Sequence, residues 1–302
     1  MRNPLPALLL AGAAFAQEGF VSGPSLGLLH DPAARTLHTV NGMPSAALMS
    51  AQLPSADGTA WLSAAPGGAY ALGLSSETGQ VVRITATGRE TLDALPSGAQ
   101  GVRFSPSGRS ALLRAGERIA AVTGLAGTSS VSWEFTAPEG AALSISDDGS
   151  RALTLFEGRL TQHRSDGSAS ELIAADARLA VYLEDSLSVA ALTQEDGVLL
   201  LLEGEETRRL PLPEGAAHPV AVAGDGSYLL AASAEGLVAR LAPDGRAAET
   251  ISCACAPTTI TRTNRGSLYR LNDAGEGPVW LLDTSGAQPA ILFIPPFVKE
   301  AE

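Results

Sequence analysis

Apolar residues in this chain come in short runs, four to eight long, with turn-forming residues near their ends. Val81-Val82-Arg83-Ile84, the run from Val198 to Leu202, and Val279-Trp280-Leu281-Leu282 are examples. Such runs are the signature of β-strands. No window carries a sustained apolar stripe at helical spacing with capping residues at its ends.

The turns between these runs repeat. Phe104-Ser105-Pro106-Ser107-Gly108 is followed by the apolar Ala111-Leu112-Leu113. The same layout returns as Ile145-Ser146-Asp147-Asp148-Gly149 before Ala152-Leu153, and as Val222-Ala223-Gly224-Asp225-Gly226 before Tyr228-Leu229-Leu230. Weaker copies end at Gly68 and Gly266, and Glu184-Asp185-Ser186 fills the same slot. The turn positions 68, 108, 149, 186, 226 and 266 are spaced by 40, 41, 37, 40 and 40 residues. A second series, Gly88, Gly127, Gly167, Gly204, Gly245 and Gly286, follows the first by 18 to 20 residues each time. Ser165-Asp166-Gly167 and Pro243-Asp244-Gly245 read as hairpin turns, in which Gly takes a positive φ without steric cost.

Two hairpins per repeat make four strands, and four-stranded units with a period near forty are propeller blades. The expected fold is therefore all-β: a β-propeller of about seven four-stranded blades, with six or eight also compatible. Residues 17–302 form its single domain, in which 17–58 supply a short first blade, 59–297 six fuller blades and 298–302 a tail. The short blade has three strands, at Leu26–Leu29, Thr36–Val40 and Ala46–Met49. Its fourth strand can come from residues 17–23 or from the C-terminal tail.

The apolar-Ser-Pro-Ser-Gly core at 104–108 and its looser copies at 145–149 and 222–226 resemble the WD40-like and YVTN-type repeats of bacterial propellers. The resemblance covers roughly residues 59–297. The Trp-Asp dipeptide of true WD40 repeats is absent, and so is the Gly-His element, although His218 sits near the position of that His. The looser YVTN-like class fits better, and many of its members are exported. Such a repeat specifies a blade and carries no information about ligand or reaction.

Composition refines the picture. The 302 residues are 45% hydrophobic and 17% charged, which suits a packed globular chain. The formal net charge is −12, which repels phosphate backbones, so nucleic acid is not an expected partner. Met1-Arg2, the apolar run from Leu5 to Phe15 and Ala14-Phe15-Ala16 before Gln17 have the layout of a secretory signal, so residues 1–16 are expected to be removed. No later stretch approaches transmembrane length. The expected location is periplasmic or extracellular. Cys253 and Cys255 are the two cysteines. In an extended strand residues i and i+2 lie about 6.5–7 Å apart, at the limit for a bridge, so two small thiols are favoured over a local disulfide.

Candidate chemistry is sparse. His30 and His38 flank one hairpin and read as a surface pair; His163 and His218 stand apart. Gly23-Pro24-Ser25-Leu26-Gly27 matches the Gly-x-Ser-x-Gly pattern, but a β-like run follows it where a nucleophile elbow requires a helix. The acidic pairs Asp147-Asp148, Glu184-Asp185, Glu195-Asp196 and Glu205-Glu206 lie at turns and read as solvated. The strand Val131-Ser132-Trp133-Glu134-Phe135 reads as core rather than as an exposed recognition strand. No catalytic, cofactor-binding or metal-binding residue and no cofactor is assigned. The expected role is a non-enzymatic exported scaffold that binds a protein or cell-envelope component. The alternative is a hydrolase or lyase of lactone or sugar type with a site in the central channel.

Overall fold

The computed structural model describes residues 25–296 except 195, 196, 225, 226, 245–247, 264, 265, 276 and 287. The expected signal segment 1–16, and both proposed sources of the short blade's fourth strand, lie outside the described residues.

Each sheet is an antiparallel meander of consecutive strands, and seven sheets form the blades of one propeller. Blade 1 has three described strands, Ser25–Asp31, Thr36–Asn41 and Leu48–Gln52. Blades 2 to 7 have four strands each and occupy residues 59–91, 101–136, 142–173, 177–211, 219–252 and 261–294. The first strand of each blade is innermost and the last outermost. No α-helix occurs among the described residues; two single-turn 3-10 segments, Pro44–Ala46 and Pro54–Ala56, flank the third strand of blade 1.

The apolar runs are explained by what lies on either side of each sheet. In the second strand of blade 3, Ala111 and Leu113 pack toward blade 2, while Leu112 packs toward blade 4. In blade 6, Leu229 and Ala231 face blade 5, and Leu230 and Ala232 face blade 7. Both faces of each middle strand are thus buried, which calls for continuous rather than alternating apolarity. Seven buried clusters fill the seven interfaces. The ring closes where Leu26, Leu29 and Val40 of blade 1 meet Leu268, Val279, Leu281 and Ile294 of blade 7. Trp133 and Phe135 are half-buried against the interface of blades 3 and 4, while Ser132 and Glu134 are exposed, so this edge strand packs through one face only.

The repeated turns join first to second strands and sit together on one rim. In blades 2, 3 and 4 the turn closes through Ala65 N to Tyr70 O (2.9 Å), Ser105 N to Ser110 O (2.9 Å) and Ser146 N to Arg151 O (3.0 Å). Gly108 and Gly149 hold φ of +76° and +71°, where a side chain is strained. A Cβ on Gly149 would also stand 2.6 Å from Thr123 Cγ2. Blade 5 has no glycine in this turn, and Asp185 takes the positive φ there, at +51°. Gly226 lies outside the described residues.

Asp147 departs from the expected solvated turn acid: it is 5% exposed. Its Oδ1 accepts from Ser107 N (2.8 Å) and Ser107 Oγ (2.5 Å), and its Oδ2 accepts from Asp185 N (2.8 Å). One carboxylate therefore ties blades 3, 4 and 5 together. Sequence shows the turn but not that successive turns pack against one another, and that packing is what buries the group. Asp148 is exposed and caps its own turn through Ser146 Oγ and Ser150 N. Glu195 and Asp196 lie outside the described residues.

Cys253 and Cys255 also differ from the favoured reading. They are paired as a disulfide, with Cα atoms 5.1 Å apart. The spacing argument assumes an extended strand, but the outer strand of blade 6 ends at Ser252 and the pair lies in the bend beyond it.

Two outcomes are expected in urea unfolding of the purified chain. Gly149→Val destabilises by at least about 1 kcal/mol, because positive φ and a side-chain clash act together, while Gly127→Ala, which faces open space, stays within about 0.5 kcal/mol. Asp147→Ala costs about 2–4 kcal/mol, because it strips the acceptor from two backbone donors at about 1–3 kcal/mol each; an unchanged midpoint would remove the carboxylate from the framework.

Candidate functional site

The inner strands of blades 3 to 7 wall a central cavity of about 350 Å³. Its apolar surface comes from Leu143, Leu179, Val181, Val220 and Val222. Val220 is 42% exposed on this wall. Ser144, Thr258, Thr259 and Thr261 add hydroxyl groups. The charged lining residues are Arg103, Arg178, Arg262 and Glu184, three cations to one anion. In a chain of net charge −12 this is a local reversal of sign.

Residues of the turn rim, among them Pro66, Pro106 and Glu184, line part of the cavity. Arg262 forms an ion pair with Glu184, joining blade 7 to blade 5. The Arg262 carbonyl accepts from Gly67 N at 2.9 Å, joining blade 7 to blade 2, and Glu184 N donates to Gly224 O at 2.9 Å. Glu184 is thus a bridging acid, with its side chain 11% exposed, and not a solvated turn residue. Ring packing is again what sequence could not show.

A second, smaller cavity of about 40 Å³ lies at the seam between blades 7 and 1, with Thr261 and Arg262 lining both cavities. Its walls are mostly aliphatic, including Leu26, Leu28, Val279 and Leu281, and Arg270 reaches it from the second strand of blade 7. The Arg270 side chain is 14% exposed, and its Nη2 meets Asp273 at 3.1 Å. Burial pulls this guanidinium below its usual range, against the opposing pull of Asp273. Its Nε has no hydrogen-bond acceptor.

The residues singled out from sequence do not gather here. His30 pairs with Leu37 and His38 with Leu29 across the first hairpin, so the two histidines occupy opposite faces of the sheet. His38 bonds Ser50 O through Nδ1 (2.9 Å) and Thr36 through Nε2 (2.9 Å). His163 stacks on Phe135 with ring centroids 4.4 Å apart, and burial lowers its pKa. His218 is exposed just before the inner strand of blade 6. Ser25 opens a strand and bonds Val40 O at 3.2 Å, a strand entry and not an elbow. Among the described residues no group of three or more His, Cys, Asp and Glu is placed to hold a metal ion.

The arginines are the functional candidates that sequence reading missed. Arg103, Arg178, Arg262 and Arg270 come from three blades and share no motif. One signal was available: Arg270 interrupts the otherwise buried run Leu268-Tyr269-Arg270-Leu271.

No family model matches the sequence, and no curated protein matches it. Solved structures match in fold. Hsv2 of Kluyveromyces marxianus superposes with a TM-score of 0.55 at 11% identity, covering 90% of this chain and 98% of that one. PorZ of Porphyromonas gingivalis, described as an essential bacterial surface component of the type-IX secretion system, gives a TM-score of 0.57 at 13% identity, covering 87% of this chain but 36% of that one. A chain of the nidogen/laminin complex gives 0.50 at 14% identity, covering 72% of this chain and 91% of that one. Identities this low establish architecture alone: the chain is a seven-bladed β-propeller.

Proposed function

We propose that this chain is an exported, non-enzymatic propeller that binds a protein or cell-envelope component. The observation that carries the binding reading is the central cavity, where exposed Val220 and neighbouring aliphatic side chains stand beside Arg103 and Arg178 in a concave wall. Concave, mostly apolar surfaces with a few placed polar groups are where ligands and partner side chains dock. Loops of the rim around it vary without disturbing the blade cores. Export is supported by the apolar run from Leu5 to Phe15 and by Ala14-Phe15-Ala16. Among solved propellers of similar fold, PorZ is a bacterial surface component and another belongs to a nidogen/laminin complex, so the architecture serves in surface and complex-forming proteins.

Two measurements test this reading. N-terminal sequencing of the protein recovered from its native envelope fraction is expected to begin at Gln17; a chain that retains residues 1–16 in the cytoplasm overturns export. Cross-linking in that fraction, read by mass spectrometry, is expected to yield a stoichiometric partner whose cross-links lie on the cavity rim. Val220→Glu, which places a charge in the apolar wall, is expected to reduce that capture at least about tenfold, and equal capture by the variant overturns the cavity as the docking surface.

A further inference from the structure

Arginines elsewhere in this ring spend their donors on the next blade. Arg83 donates through Nη1 to Leu125 O (2.7 Å) and Gly127 O (2.8 Å). Arg114 donates to Pro138 O (3.0 Å) and Ala141 O (2.9 Å). These guanidinium groups staple blade 2 to blade 3 and blade 3 to blade 4. Arg270 lies on the second strand of blade 7, as Arg114 does in blade 3, and its Nη2 meets Asp273 of its own blade. Its Nε is fully inaccessible and has no acceptor. A buried charged donor without an acceptor is destabilising, and native structures supply the missing partner in nearly every case.

Beside Arg270 lies space rather than packed chain. The seam cavity of about 40 Å³ exceeds the roughly 10–15 Å³ that one water requires on this measure. It is lined by a second guanidinium, Arg262, and by Thr261 and Thr263, and none of its lining residues is acidic. Arg262 and Thr261 also line the central cavity, where Arg103 and Arg178 stand further out. Arg103 makes no ion pair among the described residues. Four arginines thus border the two adjoining cavities, two of them paired with carboxylates (Arg262 with Glu184 and Arg270 with Asp273), inside walls that are largely aliphatic. Low-dielectric walls focus the field of such charges, and guanidinium groups match the paired oxygens of carboxylates and phosphates.

The geometry points to a binding site for a small oxyanion-bearing ligand, a carboxylate or a phosphate, with its anionic head at Arg270 and Arg262 and its body in the central channel. Arg270 and Arg262 both line the seam cavity, and the Thr261 and Thr263 side chains line it beside them. Arg103 and Arg178 attract the ligand from the channel side. The site requires neither export nor a protein partner, so its fate is separate from that of the proposed function.

Isothermal titration of the purified full chain at low ionic strength tests it, with inorganic phosphate and citrate as separate probes. One-to-one binding of at least one probe is expected, and which one binds distinguishes a phosphate site from a carboxylate site. Arg270→Met is expected to weaken that binding at least about tenfold, the loss of one charge-assisted contact. Arg103→Gln is expected to weaken it about threefold or more through reduced attraction. Arg159→Gln, on the outer part of blade 4 beside Glu171, leaves it unchanged. Absence of binding by both probes overturns the site, as does binding that Arg270→Met leaves intact. If Arg270→Met does not fold, Arg103→Gln decides: its side chain is exposed in the channel, and an unchanged affinity overturns the proposal.

Discussion

Everything in this structure depends on covering two apolar faces per blade. A single four-stranded sheet of Leu, Val and Ala cannot be stable in water with both faces bare, so each blade needs two neighbours and the row of blades must close. Six of the interfaces join blades adjacent in sequence. The seventh brings Leu26, Leu29 and Val40 against Leu268, Val279, Leu281 and Ile294, across nearly the whole chain. Closing so long a loop carries the largest entropic cost of any contact in the molecule, although that cost grows only logarithmically with length. Burial of each such side chain returns about 1.5–3 kcal/mol. The central channel is a consequence of this closure, because seven inner strands cannot meet on one axis without leaving a hole.

Polar groups then decide how the ring is held and what the hole is like. On the rim, Asp147 of blade 4 collects donors from blades 3 and 5 and acts as a fixed point for the turns. Between blades, Arg83 and Arg114 reach carbonyl oxygens that the strands leave unpaired. The Arg262–Glu184 pair spans from blade 7 to blade 5 and narrows one end of the channel. None of these contacts is a catalytic arrangement. Each is a way to satisfy backbone or charge where two curved sheets meet imperfectly, as buried polar groups require.

The architecture was legible because it is written in local chemistry. Turn residues such as Ser105-Pro106-Ser107-Gly108 and the paired spacing of the two glycine series depend only on near neighbours in sequence, and they locate the strands and the repeat. Blade 5 shows how far this goes: Ser186 stands in the glycine slot, and the positive φ falls one position earlier on Asp185, a residue type that also tolerates it. Burial of Asp147 and Glu184 was not legible, since both look like solvated turn acids until turns from different blades are stacked. The Cys253–Cys255 pairing escaped for a related reason, because a strand spacing was applied to residues in a bend. The channel arginines were invisible as a group, being single residues from blades 3, 5 and 7 with no common position. Only Arg270 could have been noticed, as a charge inside an apolar run.

The contrast between a net charge of −12 and a channel bordered by arginines has a physical consequence. Exposed charges act over a Debye length of about 8 Å at physiological salt, so at a distance the net negative charge dominates. Inside the channel the nearest charges are mostly cationic and the walls are largely aliphatic, so their field is screened less than that of charges on the outer surface. On the oxyanion site proposed above, a compact anion crosses the outer repulsion once and then meets the arginines, whereas a long anionic polymer meets that repulsion along its whole length.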